Sequence, residues 1–234
     1  MVDTTVWFGV GASVFFLAVV LYLWFAATRG EITSPFYFLP PVLVTVAGTA
    51  YAGMTAVTLG LLPDVATVEL IRFADWTVTT PIITYYLALL ADTDSTTRLV
   101  ATAANVGMLA FGYAFVVVSG PLQWVAFGAS SALFLGLIYM FTRTFSSALV
   151  GSSQTARSLY LSLRDLTVAT WSFYPVVYVL GPAGASVIAA PDLSFVVTVL
   201  DLAAKVGLVT VLLLRQYELS TFLTRDAPSA ASEL

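Results

Sequence analysis

The sequence predicts an all-α membrane protein: a bundle of seven transmembrane helices with its N-terminus outside and its C-terminus cytoplasmic. Three observations carry this expectation. Of 234 residues, 59% are hydrophobic and 9% charged, against about 25% charged in an ordinary soluble domain, and the mean hydropathy is +0.96. Seven apolar stretches are each long enough to cross a hydrocarbon core as a helix. Arg29, Arg98, Arg143, Arg157, Arg164, Arg215 and Arg225 all lie in or beside alternate connections or the C-terminal end, which the positive-inside rule assigns to the cytoplasm.

The first span, 4–27, follows Asp3 with no basic residue before it, so it reads as a helix that stays rather than a secretory signal. The others are 36–62, 68–91, 97–119, 122–142, 158–180 and 190–214. Between them lie Thr28 to Pro35, Pro63 to Thr67, Asp92 to Thr96, Gly120-Pro121, Thr144 to Ala156, and Gly181 to Pro191. Connections this short make consecutive helices antiparallel neighbours, giving one domain over 1–225. Residues 226–234 are small and polar and are expected to form a disordered cytoplasmic tail. The chain is thus expected to be a multi-pass protein of the cell membrane, surrounded by lipid.

Several chemistries are excluded at once. Without cysteine there is no disulfide or thiol chemistry, and without histidine the commonest metal ligand and proton shuttle is missing. No metal site is expected. The net charge of −4 argues against a nucleic-acid partner.

Two basic residues fall inside spans, Arg72 and Lys205. Lys205, the only lysine, sits mid-span in FVVTVLDLAAKVGLVTVLLL, one turn beyond Asp201 on the same face. An isolated charge at that depth costs about 2.5–3.5 kcal/mol on insertion scales, so it marks a functional site. The alternative is an ion pair that pins two helices. In the third span Arg72, Asp75 and Thr79 recur at i, i+3 and i+7. Two carboxylates and two cations inside a membrane neutralise one another only when the helices bring them together. A lysine in an apolar pocket has a nucleophilic free amine, the condition for a Schiff base with an aldehyde. Asp75 and Asp201 are then expected as counter-ions, with Arg72 holding both carboxylates charged. Trp171, Tyr174 and Tyr178 form a stripe beside Pro175, a pocket wall or plain packing. Gly112, Gly128 and Gly136 leave room between helices.

RxxDWxxTTP in the third span, LRDLTVxTWxxYPxVYxxGPAG from Leu163 to Gly184, and LDLAAKVG from Leu200 to Gly207 resemble the microbial rhodopsins of haloarchaea. That resemblance covers nearly the whole chain. It implies all-trans retinal bound as a Schiff base on Lys205, with Asp75 as proton acceptor and Asp201 as second counter-ion. It implies a pocket of Trp76, Thr79, Thr80, Met108, Gly112, Phe127, Ser130, Phe134, Trp171, Tyr174 and Tyr178. Tyr178 stands where the family has tryptophan, which makes that wall looser or more polar. Phe73 replaces a common tyrosine and removes one hydrogen bond.

The resemblance also separates pump from sensor. Outward proton pumps carry a carboxylic acid eleven residues beyond the acceptor, roughly 16 Å along the helix. Here that residue is Tyr86, whose unperturbed pKa near 10 makes it a poor donor. The loop Gly181-Pro182-Ala183-Gly184 lacks the family's proton-release glutamate, and Asn105 also looks sensory. The chain is therefore similar to sensory rhodopsin II, and more so to the middle rhodopsins, because Ala204 and Val199 replace residues of the type II signal relay. This implies a photosensory receptor for phototaxis, not an enzyme, working through a two-helix membrane transducer, with a homo-oligomer also open. The alternatives are a weak outward proton pump and a seven-helix protein without retinal.

Overall fold

The computed structural model describes residues 3–29, 34–150 and 152–225. The tail expected at 226–234 lies outside these. Eight helices follow one another, with no strand among the described residues. They are α1 (Thr4–Arg29), α2 (Pro35–Thr58), α3 (Val68–Leu90), α4 (Ser95–Val117), α5 (Pro121–Ala148), α6 (Gln154–Trp171 and Phe173–Leu180), α7 (Ala190–Leu214) and α8 (Gln216–Arg225). Consecutive helices from α1 to α5 pack as neighbours, and α7 closes the bundle against α1 and α6.

Each expected span is a helix, and the differences have local causes. α2 stops at Thr58 because Gly60 takes a left-handed φ of 69°. Leu61 N–H then bonds Ala56 O and Gly60 N–H bonds Val57 O, which satisfies the last carbonyls. α5 runs on to Ala148 through a wide turn, Met140–Thr144, where Phe145 N–H reaches back five residues to Met140 O. The short helix α8 was not legible as a separate element.

Five helices (α1, α2, α4, α5 and α7) are long and apolar enough to span a membrane by composition. α3 and α6 fall short for a reason that matters. α3 carries Glu69, Arg72, Asp75 and four threonines, while α6 is divided at Ser172 and its first segment holds Arg157, Arg164 and Asp165. Arg72, Asp75, Thr79, Thr80 and Thr84 are all buried, so α3 turns its polar face inward. Outward-facing Leu17, Val20, Leu99 and Leu135 are exposed, as lipid requires.

The break at Ser172 sits one turn before Pro175, which has no N–H to offer the carbonyl of Trp171. Pro40 does the same within α2, freeing the carbonyl of Phe36. Tyr22 from α1 and Tyr86 from α3 both donate their hydroxyls to that oxygen, each at 3.3 Å. A second wide turn, Leu202–Val206, interrupts α7 and contains Lys205.

Candidate functional site: a buried lysine at the end of an apolar cavity

Lys205 is 2% exposed and lies between two carboxylates of unequal character. Its Nζ donates to Asp75 Oδ2 and stands 4.0 Å from Asp201 Oδ1. The i, i+4 spacing does put Asp201 on the lysine's face, yet the closer partner comes from α3.

Asp201 is held from three sides. Tyr51 Oη of α2 donates at 2.8 Å, Trp76 Nε1 of α3 at 3.0 Å and Tyr174 Oη of α6 at 2.7 Å. Tyr51 can stand there because Gly11 of α1 faces it, and a Cβ at Gly11 would clash with the edge of the Tyr51 ring. Asp75 differs. Its Oδ1 is buried without a hydrogen-bond partner, and Thr79 Oγ1 donates at 2.9 Å to the Asp75 main-chain carbonyl.

Arg72, expected to hold both carboxylates charged, makes its ion pair elsewhere. It is fully buried, and its ion pair is with Glu69, Nη1 to Oε1 at 2.6 Å. Side chains on a helix lean toward its N-terminus, so the guanidinium reaches back one turn to Glu69 and not forward to Asp75. Its Nε and Nη2 have no partner, and the group lies over the Phe8 ring, 5.7 Å from the centroid.

From Lys205 a cavity runs between α3, α4, α5, α6 and α7, with about 810 Å³ of non-atom space including its mouth. Trp76, Thr80, Met108, Gly112, Phe127, Ser130, Phe134, Trp171, Tyr174 and Tyr178 line it, as does Asp201. Asp75, Thr79 and Arg72 do not, although Asp75 touches the lining through Lys205. The lining also includes Ile83, Leu109, Phe115 and Ser131, which the motifs did not single out. Ile83 continues the Trp76–Thr80 face by helical spacing, so periodicity could have found it. Ser130 Oγ spends its hydrogen bond on Met108 O at 2.8 Å. Thr80 Oγ1 pairs with Asn105 Oδ1 at 2.6 Å, and Asn105 Nδ2 donates to Thr84 Oγ1 at 3.1 Å, joining α3 to α4.

Tyr178 contributes its ring to the wall while its hydroxyl donates to Glu69 Oε2 at 3.0 Å. Phe73 packs against Trp76, Tyr113 and Tyr178. Glu69 and Tyr51 were missed as partners. Glu69 had a signal, since it lies i−3 to Arg72; one tyrosine among eleven gave none.

A sequence model of bacteriorhodopsin-like proteins matches residues 2–219. The chain belongs to the bacteriorhodopsin-like family. Sensory rhodopsin III of Haloarcula marismortui is 52% identical over 95% of this chain and 96% of its own. Sensory rhodopsin-2 of Natronomonas pharaonis is 32% identical over 88% of this chain and 87% of its own. In fold, the crystal structure of a cyanorhodopsin from Calothrix sp. NIES-2098 superposes with a TM-score of 0.83 at 24% identity, covering 92% of this chain and 95% of that one. This bacteriorhodopsin-like protein is of the haloarchaeal sensory type and is a multi-pass integral membrane protein. The family implies retinal, and the residues fit it. An apolar, aromatic-walled cavity ends at a single primary amine, beside a carboxylate with one oxygen unpaired.

Proposed function

We propose that the protein is a light-activated photosensory receptor whose retinal is held on Lys205 as a protonated Schiff base and whose signal passes to a two-helix membrane transducer. The observation that carries this reading is Lys205 Nζ, buried at the inner end of the apolar cavity and donating to Asp75. Kinship with sensory rhodopsins supports the receptor class. Retinal supplies light absorption and, on isomerising, a displacement at the amine to which it is joined.

The chain's own residues do the rest. Trp76, Met108, Phe134, Trp171 and Tyr174 confine the ligand and exclude water. Asp75 Oδ2 receives the proton leaving Lys205 Nζ. Asp201, held by Tyr51, Trp76 and Tyr174, stands beside Lys205 as second counter-ion. Neutralising the Lys205–Asp75 pair removes an electrostatic tie between α3 and α7, and α6 tilts at its Ser172–Pro175 break. With Tyr86 bonded to Phe36 O, α3 carries no carboxylic acid beyond Asp75 to return the proton, so the signalling state lasts. The N-terminus is then outside and the C-terminus cytoplasmic.

Adding all-trans retinal to the purified protein is the test. A visible band that Lys205→Ala abolishes is the expected result; a colourless wild-type protein overturns the reading. A second reading, a weak outward proton pump, is favoured by Glu69 at the mouth of the bundle, where a proton could leave. Illuminated cell suspensions separate the two, because sustained acidification abolished by a protonophore means transport.

A further inference from the structure

Arg72 stands midway between two carboxylates on its own helix, Glu69 one turn before it and Asp75 one turn after. The structure gives it to Glu69. A guanidinium carries five N–H donors, and here Nε and Nη2 are buried and unpartnered. Unpaired buried donors of a charged group are costly, so a specific contact must keep the group in this arrangement. That contact is an ion pair with Glu69 Oε1 at 2.6 Å, and the Tyr178 hydroxyl also lies beside the guanidinium. Glu69 is itself fixed, because its other carboxylate oxygen accepts from Tyr178 Oη at 3.0 Å. Tyr178 belongs to α6 and to the cavity wall. Asp75, by contrast, keeps Oδ1 free of any partner and answers to Lys205 alone among the cations.

We propose that Glu69 is the positioning residue for Arg72: it draws the guanidinium to the aqueous end of the bundle, withholds it from Asp75, and through Tyr178 ties that arrangement to α6. Glu69, 30% exposed, is the outer station; the unpaired Asp75 Oδ1 is the inner one. Remove Glu69, and the nearest remaining carboxylate on α3 for Arg72 is Asp75. The charge around Lys205 is then set by a residue outside the cavity.

The test rests on the pigment reading in one arm and is independent of it in the other. In the first, the acid-induced colour change of the retinal-loaded protein is titrated for wild type, Glu69→Gln, Arg72→Gln and the double variant. Glu69→Gln is expected to move the midpoint about one pH unit toward acid, because a cation brought to a carboxylate stabilises its charged form. In the Arg72→Gln background the same change is expected to move it by less than about a third of that, a double-variant cycle that isolates the arginine. Equal shifts in both backgrounds mean that Glu69 acts by its own charge, and no shift means a purely structural role; either overturns the proposal. The second arm uses retinal-free protein labelled with carbon-13 at glutamate carboxyls, the Glu69 signal being the one that Glu69→Gln removes. Arg72→Gln and Tyr178→Phe are each expected to shift that signal, and an unmoved signal in Arg72→Gln overturns the pairing. A protein that never colours thus sinks the pigment reading and leaves the positioning claim to be judged separately.

Discussion

The two halves of the bundle on either side of Lys205 are built from opposite materials. Toward the start of α3, Asp75 and Asp201 flank Lys205, and one turn further out Arg72, Glu69 and Tyr178 form a second linked set that ends at a partly exposed glutamate. Toward the end of α3, Tyr86 lies among buried Phe36, Leu87 and Leu90, and its hydroxyl is taken up by a carbonyl that Pro40 releases. Both halves contain polar atoms at membrane depth, but they satisfy them differently. One leaves donors and an acceptor unspent, the other spends them on the backbone. The difference teaches that titratable groups near Lys205 gather on one side, the asymmetry on which the proposed long-lived signalling state depends.

Removing the acceptor should break the comparison most completely. Asp75→Asn is expected to shift the pigment to the red and to abolish its light-induced blue-shifted state, a loss of at least about a hundredfold, or roughly 2.7 kcal/mol in barrier terms. Flash photolysis checks this, and a normal blue-shifted state would remove Asp75 from its role. Tyr86→Asp attacks the comparison from the other side by planting a carboxylic acid in the closed half. Recovery from the blue-shifted state should quicken about tenfold, equivalent to 1.4 kcal/mol, and an unchanged recovery would mean that the route is shut by more than the missing acid.

Gly11→Ala sharpens the description of the open half. The added Cβ displaces the Tyr51 ring and with it one of three donors to Asp201. A loss of about 1.5–3 kcal/mol is expected from a hydrogen bond to a charged group, seen as a lower thermal midpoint together with a changed colour. Tyr22→Phe should do least. It removes one of two hydroxyls on Phe36 O, costing about 1 kcal/mol, with colour unchanged because Tyr22, Phe36 and Tyr86 do not line the cavity. A colour change there would show that the two halves are coupled.

Much of this was legible in the residues. Hydropathy marks five of the long helices because lipid-facing surfaces must be apolar, while α3 and α6 carry too many polar groups to stand out by composition alone; spacing put Lys205 and Asp201 on one face. The pocket residues followed from motifs, and Trp76, Tyr174 and Tyr178 do line the cavity. What stayed hidden depends on side-chain direction and on partners distant in sequence. Arg72 was read as serving both inner carboxylates because spacing alone does not say which way a long side chain leans. Tyr51 reaches Asp201 across 150 positions of chain, and nothing local in α2 announces it. The carbonyl knot at Phe36 needed the positions of Tyr22 and Tyr86 as well as Pro40.

The wide turn at Leu202–Val206 has a consequence for how this chain can vary. Gly207 N–H bonds Leu202 O, five residues back, so the helix there accommodates an additional amino acid per revolution. Everything after it is therefore indexed by that surplus, including Arg215, whose guanidinium grips Ser158 and Ser162 of α6. Deleting a single position from the turn would leave a continuous helix but swing its lower portion about 100° around the axis, parting Arg215 from α6. Side-chain exchanges leave this register intact, whereas a change in the length of the turn would move Lys205 relative to Arg215 and its hold on α6.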